Sequence, residues 1–278
     1  MNPKTQNNVR AENQTPDNFF RYRYPPFSDT REIQEPFLSE GDQIILNRMA
    51  GLVRQGKSFA LYGEPGTGKS MLLKALLQKL DLKAYRHANV PYGGCKRSAL
   101  LREICEAFDI DAGGRTNLLH RLRKNFQPQT DKPFPLIIVD EAQEMERPSF
   151  MDLVSLLQDP RQKTAAASLV MAGHGTLKTM LELDIFSAVR TRLAFLFPMP
   201  KLDTEQAKQF ILYRLKIAEA NDTIFETDAL ECLALDCAGN RRILMNLCAM
   251  ALQVATERNE KVITADLVNS IATAGKST

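Results

Sequence analysis

No run of about 18 or more apolar residues, the length a membrane-spanning helix needs, occurs anywhere in the 278 residues. The first residues are polar, with no short apolar stretch behind a basic start, so nothing reads as a secretory signal and the expectation is a cytoplasmic protein without a membrane partner. Cysteine is sparse and scattered: Cys95, Cys105, Cys232, Cys237 and Cys248 form no C-x-x-C pair. That pattern argues against a disulfide framework or a zinc site and reads as reduced core thiols. Neither sign of charge dominates, since 36 Lys and Arg face 33 Asp and Glu for a net charge of +3. A local basic face for nucleic acid is allowed by this balance but not demanded. No internal repeat or heptad run is present either, which removes solenoids and coiled coils.

What remains has the ordinary apolar and charged shares of a globular protein, 44% and 25%, and enough length for an α/β domain with a smaller satellite. Residues 1–18 are rich in Asn, Gln, Thr and Pro, bury too little to offset ordering entropy and are expected to be a disordered tail. An extended arm is expected over 19–38, where Phe19-Phe20-Arg21-Tyr22-Arg23-Tyr24-Pro25-Pro26-Phe27 interleaves aromatics with arginines before a double proline that forbids further helix. Its aromatics are expected to pack on the main domain, with a nucleic-acid or partner contact as the alternative.

Helical spacing over 39–54 gives way to a short strand at 58–62, a glycine-rich loop at 63–68 and a helix over 69–80. Further strands are expected at 84–90, 136–140, 168–172 and 194–197, separated by stretches long enough for helical crossovers. The fold class that follows is α/β, with a parallel sheet covered on both faces across 39–200. Beyond Pro200 the pattern is helical only, at 204–220, 228–237, 241–258 and 264–272. This predicts a small all-helical domain over 201–273 and a short tail at 274–278.

Gly63-Glu64-Pro65-Gly66-Thr67-Gly68-Lys69-Ser70 fits G-x-x-x-x-G-K-[ST]. In that loop, glycines let successive backbone N–H groups turn inward around a polyphosphate, and the following helix, with Met71 in its first turn, presents its positive dipole end. Lys69 is expected to reach the β- and γ-phosphates, and the Ser70 hydroxyl to ligate Mg²⁺, so ATP and Mg²⁺ are the implied ligands. Leu136-Ile137-Ile138-Val139 ends in Asp140-Glu141 at a strand's C-terminal edge, where α/β sheets bind ligands. Asp140 is the candidate for the metal's hydration shell and Glu141 for the base that polarises water. Gln143 either faces the nucleotide or carries its state onward, with a surface role as the alternative.

Ser168-Leu169-Val170-Met171-Ala172-Gly173 is another apolar strand, and His174 after it either contacts the γ-phosphate or attacking water or is structural. Arg190 and Arg192 precede an apolar strand. Either can stabilise the charge of phosphoryl transfer if it is supplied by a neighbouring subunit, and ion pairing is the alternative. Gly239-Asn240-Arg241-Arg242 opens a helix, and one of its arginines can reach the nucleotide, with surface pairing as the competitor. For nucleic acid the candidate positions are Lys96 and Arg97, then Arg115, Arg121, Arg123 and Lys124, against the alternative of solvated helix faces.

With these residues placed, the chain resembles the AAA+ ATPases of the ExeA, TniB and TnsC kind, a group that includes the transposition helpers MuB and IstB. The resemblance rests on Tyr24-Pro25-Pro26-Phe27, the Gly63–Ser70 loop, Val139-Asp140-Glu141-Ala142-Gln143, Ala172-Gly173-His174, and Gly239-Asn240-Arg241-Arg242 followed by Leu244-Met245-Asn246-Leu247. It implies an AAA+ α/β domain with a helical lid and an ATPase that forms a head-to-tail ring or filament on double-stranded DNA. That assembly would mark a target and recruit a transposase together with target-selection proteins. Lys69, Ser70, Asp140 and Glu141 match the nucleotide and hydrolysis positions, Arg190 or Arg192 the finger region, and Arg242 or Arg241 the second sensor. The strand-end sensor, often Asn in the wider group, falls at His174 or a neighbour. ExeA-like secretion ATPases usually add a membrane segment and a wall-binding region; the sequence shows neither, and the transposition reading is the expectation, with secretion and helicase or clamp loading as alternatives.

Overall fold

The computed structural model describes residues 15–275 except 31–32, 82, 114–116, 128–131 and 159–163. The tail expected over 1–18 lies outside the described residues up to 14, as do Arg115 and 276–278. Two units divide the chain, Glu40–Pro200 and a second that joins the residues up to Ser39 with those from Lys201 onward.

In the first unit, helix α1 (Glu40–Arg54) has Glu40 and Asp42 in its first turn and Arg54 in its last, each sign opposing the nearby end of the helix dipole. Ile45, Leu46, Met49, Ala50 and Val53 form its buried stripe. Strand β1 (Ser58–Tyr62) leads into α2 (Lys69–Lys79), then β2 (Tyr85–Val90), α3 (Arg97–Ala107), α4 (Leu118–Asn125), β3 (Phe134–Val139), α5 (Arg147–Leu156), β4 (Ser168–Gly173), α6 (Gly175–Glu182) and β5 (Leu193–Pro198). All pairings are parallel, in the order β2-β3-β4-β1-β5. Parallel neighbours need crossovers, and the intervening helices cover the sheet's faces. The innermost strand β4 is therefore buried at every position, whereas edge strand β5 leaves Ala194 and Phe195 exposed.

Register aligns the strand ends that matter: Tyr62 lies beside Gly173, and Met171 beside Val139. The loop after β1, the carboxylates after β3 and the end of β4 thus lie along one edge of the sheet. Tight aromatic packing fixes the layers, as where Phe150 meets Phe186 edge-to-face at 5.3 Å. Losing a fully buried phenylalanine such as Phe150 costs about 3–5 kcal/mol.

The second unit holds α7 (Thr204–Ile217), α8 (Thr227–Asp236), α9 (Arg241–Arg258) and α10 (Ala265–Gly275). A capping box between Asp203 and Gln206 opens α7. One helical turn, Pro16–Phe20, crosses the expected boundary between the tail and the extended arm, and Phe20, Tyr22 and Phe27 are buried in the helical core with Ile211, Leu215 and Phe225. The aromatic arm therefore packs on the helical unit, where the sequence reading had placed it on the main domain. Arg214 explains the arrangement: this buried guanidinium donates to Pro26 O at 2.5 Å and Ser28 O at 3.0 Å. The Arg23 N–H donates to Ala218 O at 2.9 Å, and the Tyr24 hydroxyl to Ile217 O. A buried cation without such partners costs several kcal/mol, so α7 and the arm need one another.

Candidate nucleotide-binding site

The loop after β1 turns on glycines. Gly66 (φ 80°) and Gly68 (φ 104°) occupy the left-handed region that side chains with a Cβ avoid. Gly63 has a different constraint, because a Cβ there would fall 2.7 Å from that of Met199. Thr67 Oγ1 donates to Glu64 O at 2.7 Å and holds the loop closed around Pro65. Lys69 is buried, and its ammonium donates to Gly63 O at 2.9 Å and Glu64 O at 3.1 Å. Its charge is thus held against the loop, at the N-terminus of α2, where the unpaired N–H groups of the first turn favour an anion. Met71, half-buried, follows in that first turn.

Beside the loop, Ser70 Oγ donates to Asp140 Oδ2 at 2.6 Å. The other Asp140 oxygen accepts the Glu141 N–H at 2.9 Å. Glu141 is in the left-handed conformation (φ 48°, ψ 42°), which costs about 1–3 kcal/mol for a residue with a side chain. That kink sends the two neighbouring carboxylates in different directions, Asp140 to Ser70 and Glu141 to Gln143, whose Nε2 donates to Glu141 Oε2 at 2.6 Å. Gly93, in the loop after β2, braces the turn: its N–H donates to Asp140 O at 2.8 Å, and a Cβ there would fall 2.9 Å from Glu141 O.

His174 caps α6. Its Nδ1 accepts the Thr176 N–H at 3.4 Å and its own backbone N–H donates to Gln143 Oε1 at 3.0 Å. It follows the end of β4, which lies between β1 and β3, and the imidazole nitrogen nearest the backbone is spent on the cap. Gly93 and Gly173 were not singled out as functional from the sequence; the Gly93-Gly94 pair and the glycine closing an apolar strand were the available signals.

Arg190 and Arg192 are exposed and lie before β5, at the end of the sheet opposite the loop. Leu193 pairs with Ser58 and Pro198 with Tyr62, so four strand residues, about 13 Å at 3.3 Å each, separate that end from the start of the loop. Arg190 Nη1 donates to Glu182 O at 3.0 Å. Arg241 and Arg242 belong to the helical unit, in the first turn of α9, where Asn240 Oδ1 accepts the N–H groups of Arg242 at 3.0 Å and Ile243 at 3.2 Å. Arg241 is buried and Arg242 exposed.

Among the basic positions read as nucleic-acid contacts, Lys96, Arg123 and Lys124 are exposed. Arg97 forms a two-pronged pair with Asp152, at 2.6 and 2.9 Å, and that carboxylate pushes its pKa further up. Arg121 pairs with Asp111 at 2.7 Å. Both guanidinium groups therefore already hold a carboxylate, which a phosphate would have to displace.

The Ser70 hydroxyl and an Asp140 carboxylate oxygen 2.6 Å apart are hard ligands that can share one cation. This fits Mg²⁺, which takes few protein ligands and completes its shell with water and phosphate oxygens.

Sheet order, glycine loop and acidic strand end together define an AAA+ P-loop NTPase fold. Residues 53–181 match the family model described as AAA domain. General secretion pathway protein A of Aeromonas hydrophila is 26% identical over 263 residues, covering 90% of this chain and 46% of its own length. The chain thus spans about half the length of that relative. Among solved structures, Cdc6p from Pyrobaculum aerophilum is similar with a TM-score of 0.69 and 20% identity, over 86% of this chain and 67% of that one. The ORC1 protein of Aeropyrum pernix, solved in complex with DNA, gives 0.65 and 18%, over 91% and 69%.

Proposed function

We propose that this protein hydrolyses ATP and uses the bound nucleotide as an assembly switch on double-stranded DNA. The observation that carries the proposal is the contact between Ser70 and Asp140 at the mouth of the Gly63–Ser70 loop, with Glu141 turned away on its left-handed backbone. The loop's N–H groups and Lys69 bind and orient the phosphates of the substrate. Ser70 and Asp140 would hold Mg²⁺, which when bound supplies positive charge to the phosphate oxygens. Glu141 is free of the metal pair and takes the proton of the attacking water.

Arg190 and Arg192 lie at the far end of the sheet from their own loop, so either can act only on a neighbour's nucleotide. This supports head-to-tail assembly into a ring or filament. Exposed Leu183, Ile185 and Phe195 near those arginines provide apolar surface for such a contact. Arg242 or Arg241 couples the helical unit to nucleotide state in this reading. Lys96, Arg123 and Lys124 are the positions we assign to DNA phosphates, with Arg97 and Arg121 joining only if their carboxylate pairs open. In the fuller form of the proposal, the DNA-bound assembly marks a target for a transposase and its target-selection proteins.

A second reading is favoured by the similarity to General secretion pathway protein A across 263 residues: the same switch drives a secretion or envelope-assembly partner. Electron microscopy of the chain with ATP and duplex DNA, beside a phosphate-release assay, separates the two. ATP-dependent rings or filaments on DNA that Lys69→Ala abolishes support the DNA reading. Nucleotide turnover that duplex DNA neither stimulates nor organises would pass the proposal to the secretion reading.

A further inference from the structure

We infer that Gln143 is a positioning residue for Glu141: its carboxamide is a two-ended strut that ties the candidate base to the end of β4. One end is the Nε2 donor on Glu141 Oε2 at 2.6 Å, and the other is Oε1, which accepts the His174 N–H at 3.0 Å. The two partners fix which way the amide faces. A carboxylate only accepts and a backbone N–H only donates, so an amide flipped end for end would lose both bonds.

Room for the strut comes from a single residue. A Cβ built on Gly173 would fall 2.4 Å from Gln143 Oε1, so only glycine at the last position of β4 lets the amide reach the His174 N–H. The left-handed kink at Glu141 and the 3-10 turn Ala142–Glu144 bring positions 141 and 143 together from the other side. Local backbone strain, a glycine in a neighbouring strand and a fully used side-chain amide thus converge on one carboxylate oxygen.

The consequence is that the position of Glu141 is set by β4, not by its own torsions. β4 lies between β3 and β1, the strand that carries the nucleotide loop, so the strut aligns the base with that loop. The second Glu141 oxygen is left to take the proton of a water. Displacements of about 1 Å at a reacting group cost on the order of 100-fold in rate.

This inference rests on the hydrolysis reading above. Its test is steady-state phosphate release by the full chain as Gln143→Leu and Gln143→Glu, alongside affinity for a fluorescent ATP analogue and melting temperature. Gln143→Leu removes both bonds. Gln143→Glu keeps an acceptor for the His174 N–H but replaces the donor to Glu141 with a second carboxylate, which can only accept. The expected results are a fall in kcat of about 10- to 100-fold in both variants, with nucleotide affinity within about twofold of wild type and the melting temperature little changed.

Gly173→Ala is a second route to the same loss, because it expels the amide without altering it. Unchanged kcat in the Gln143 variants, in a wild type that hydrolyses ATP, would overturn the strut alone. So would a kcat loss matched by an equal loss of nucleotide affinity and thermal stability, which marks a merely structural residue. A wild type that binds ATP without turnover would overturn the hydrolysis reading and the strut with it.

Discussion

At the C-terminal ends of β1, β2, β3 and β4 the backbone is under constraint at many positions: Gly66, Gly68 and Glu141 are left-handed, and Gly63, Gly93 and Gly173 each sit where a Cβ would collide. At the N-terminal ends of β1 and β5 fewer positions are constrained. Gly56, which turns into β1, shares the constraint, with φ 66° and a Cβ that would fall 2.9 Å from that of Ala165; beside it Ser58 Oγ accepts the Leu169 N–H at 2.9 Å, and Arg190 and Arg192 stand exposed before β5. Constrained positions are more numerous at the edge of the sheet where chemistry is proposed, and the opposite end carries cations and apolar surface that a neighbouring subunit could use.

The largest effect should come from the arginines at the opposite end. If Arg190 or Arg192 acts on a neighbour's nucleotide, one of the two alanine variants loses turnover by about 10³–10⁵-fold while binding ATP normally. Mixing that variant with Lys69→Ala subunits should then restore part of the phosphate release, since each supplies what the other lacks. No recovery on mixing breaks the assignment of one end to a neighbour.

At the strained end, Gly93→Ala pushes a Cβ to 2.8 Å from Met145 Cγ and 2.9 Å from Glu141 O. Expected from denaturant unfolding is a loss of about 1–3 kcal/mol, with turnover reduced as the acidic turn shifts. Gly51→Ala is the matched control: nothing lies within 4 Å of a Cβ there, inside α1, so a gain of about 0.5–1 kcal/mol is expected. Equal effects at the two glycines would remove the distinction between constrained and unconstrained backbone.

Away from both ends, the Arg121 pair gives the smallest effect. The Asp111 carboxyl is held below its ordinary range, first by the Gly113 N–H and then by the Arg121 guanidinium. A depressed carboxylate contributes stability that is present above its unfolded value, about 3.9, and is lost as pH falls through the folded value. The melting temperature of Arg121→Ala should therefore lie slightly below wild type at neutral pH, with the gap closing below about pH 4.

Much of the strained end was legible from sequence. Motif spacing located the Gly63–Ser70 loop, and the five apolar strand segments appear as β1 to β5 with ends shifted by at most two residues. Local order sufficed there because each signal spans a few neighbouring residues. What escaped depends on partners distant in sequence. Arg97 reads as a free basic residue until Asp152, 55 positions on, folds against it. The arm's destination is decided by Arg214, 188 positions from Pro26. Gln143 stayed undecided between nucleotide and surface because its second partner, the His174 N–H, comes from another strand's end.

The most direct test of the account is phosphate release from Mg·ATP by the wild type and Glu141→Gln, with affinity for the nucleotide measured on both. Expected is equal binding, with turnover in the variant reduced by about 10²–10⁴-fold as the base is lost. Equal turnover in the two proteins would contradict the assignment of Glu141, and with it the proposal that the kinked carboxylate pair after β3 drives hydrolysis.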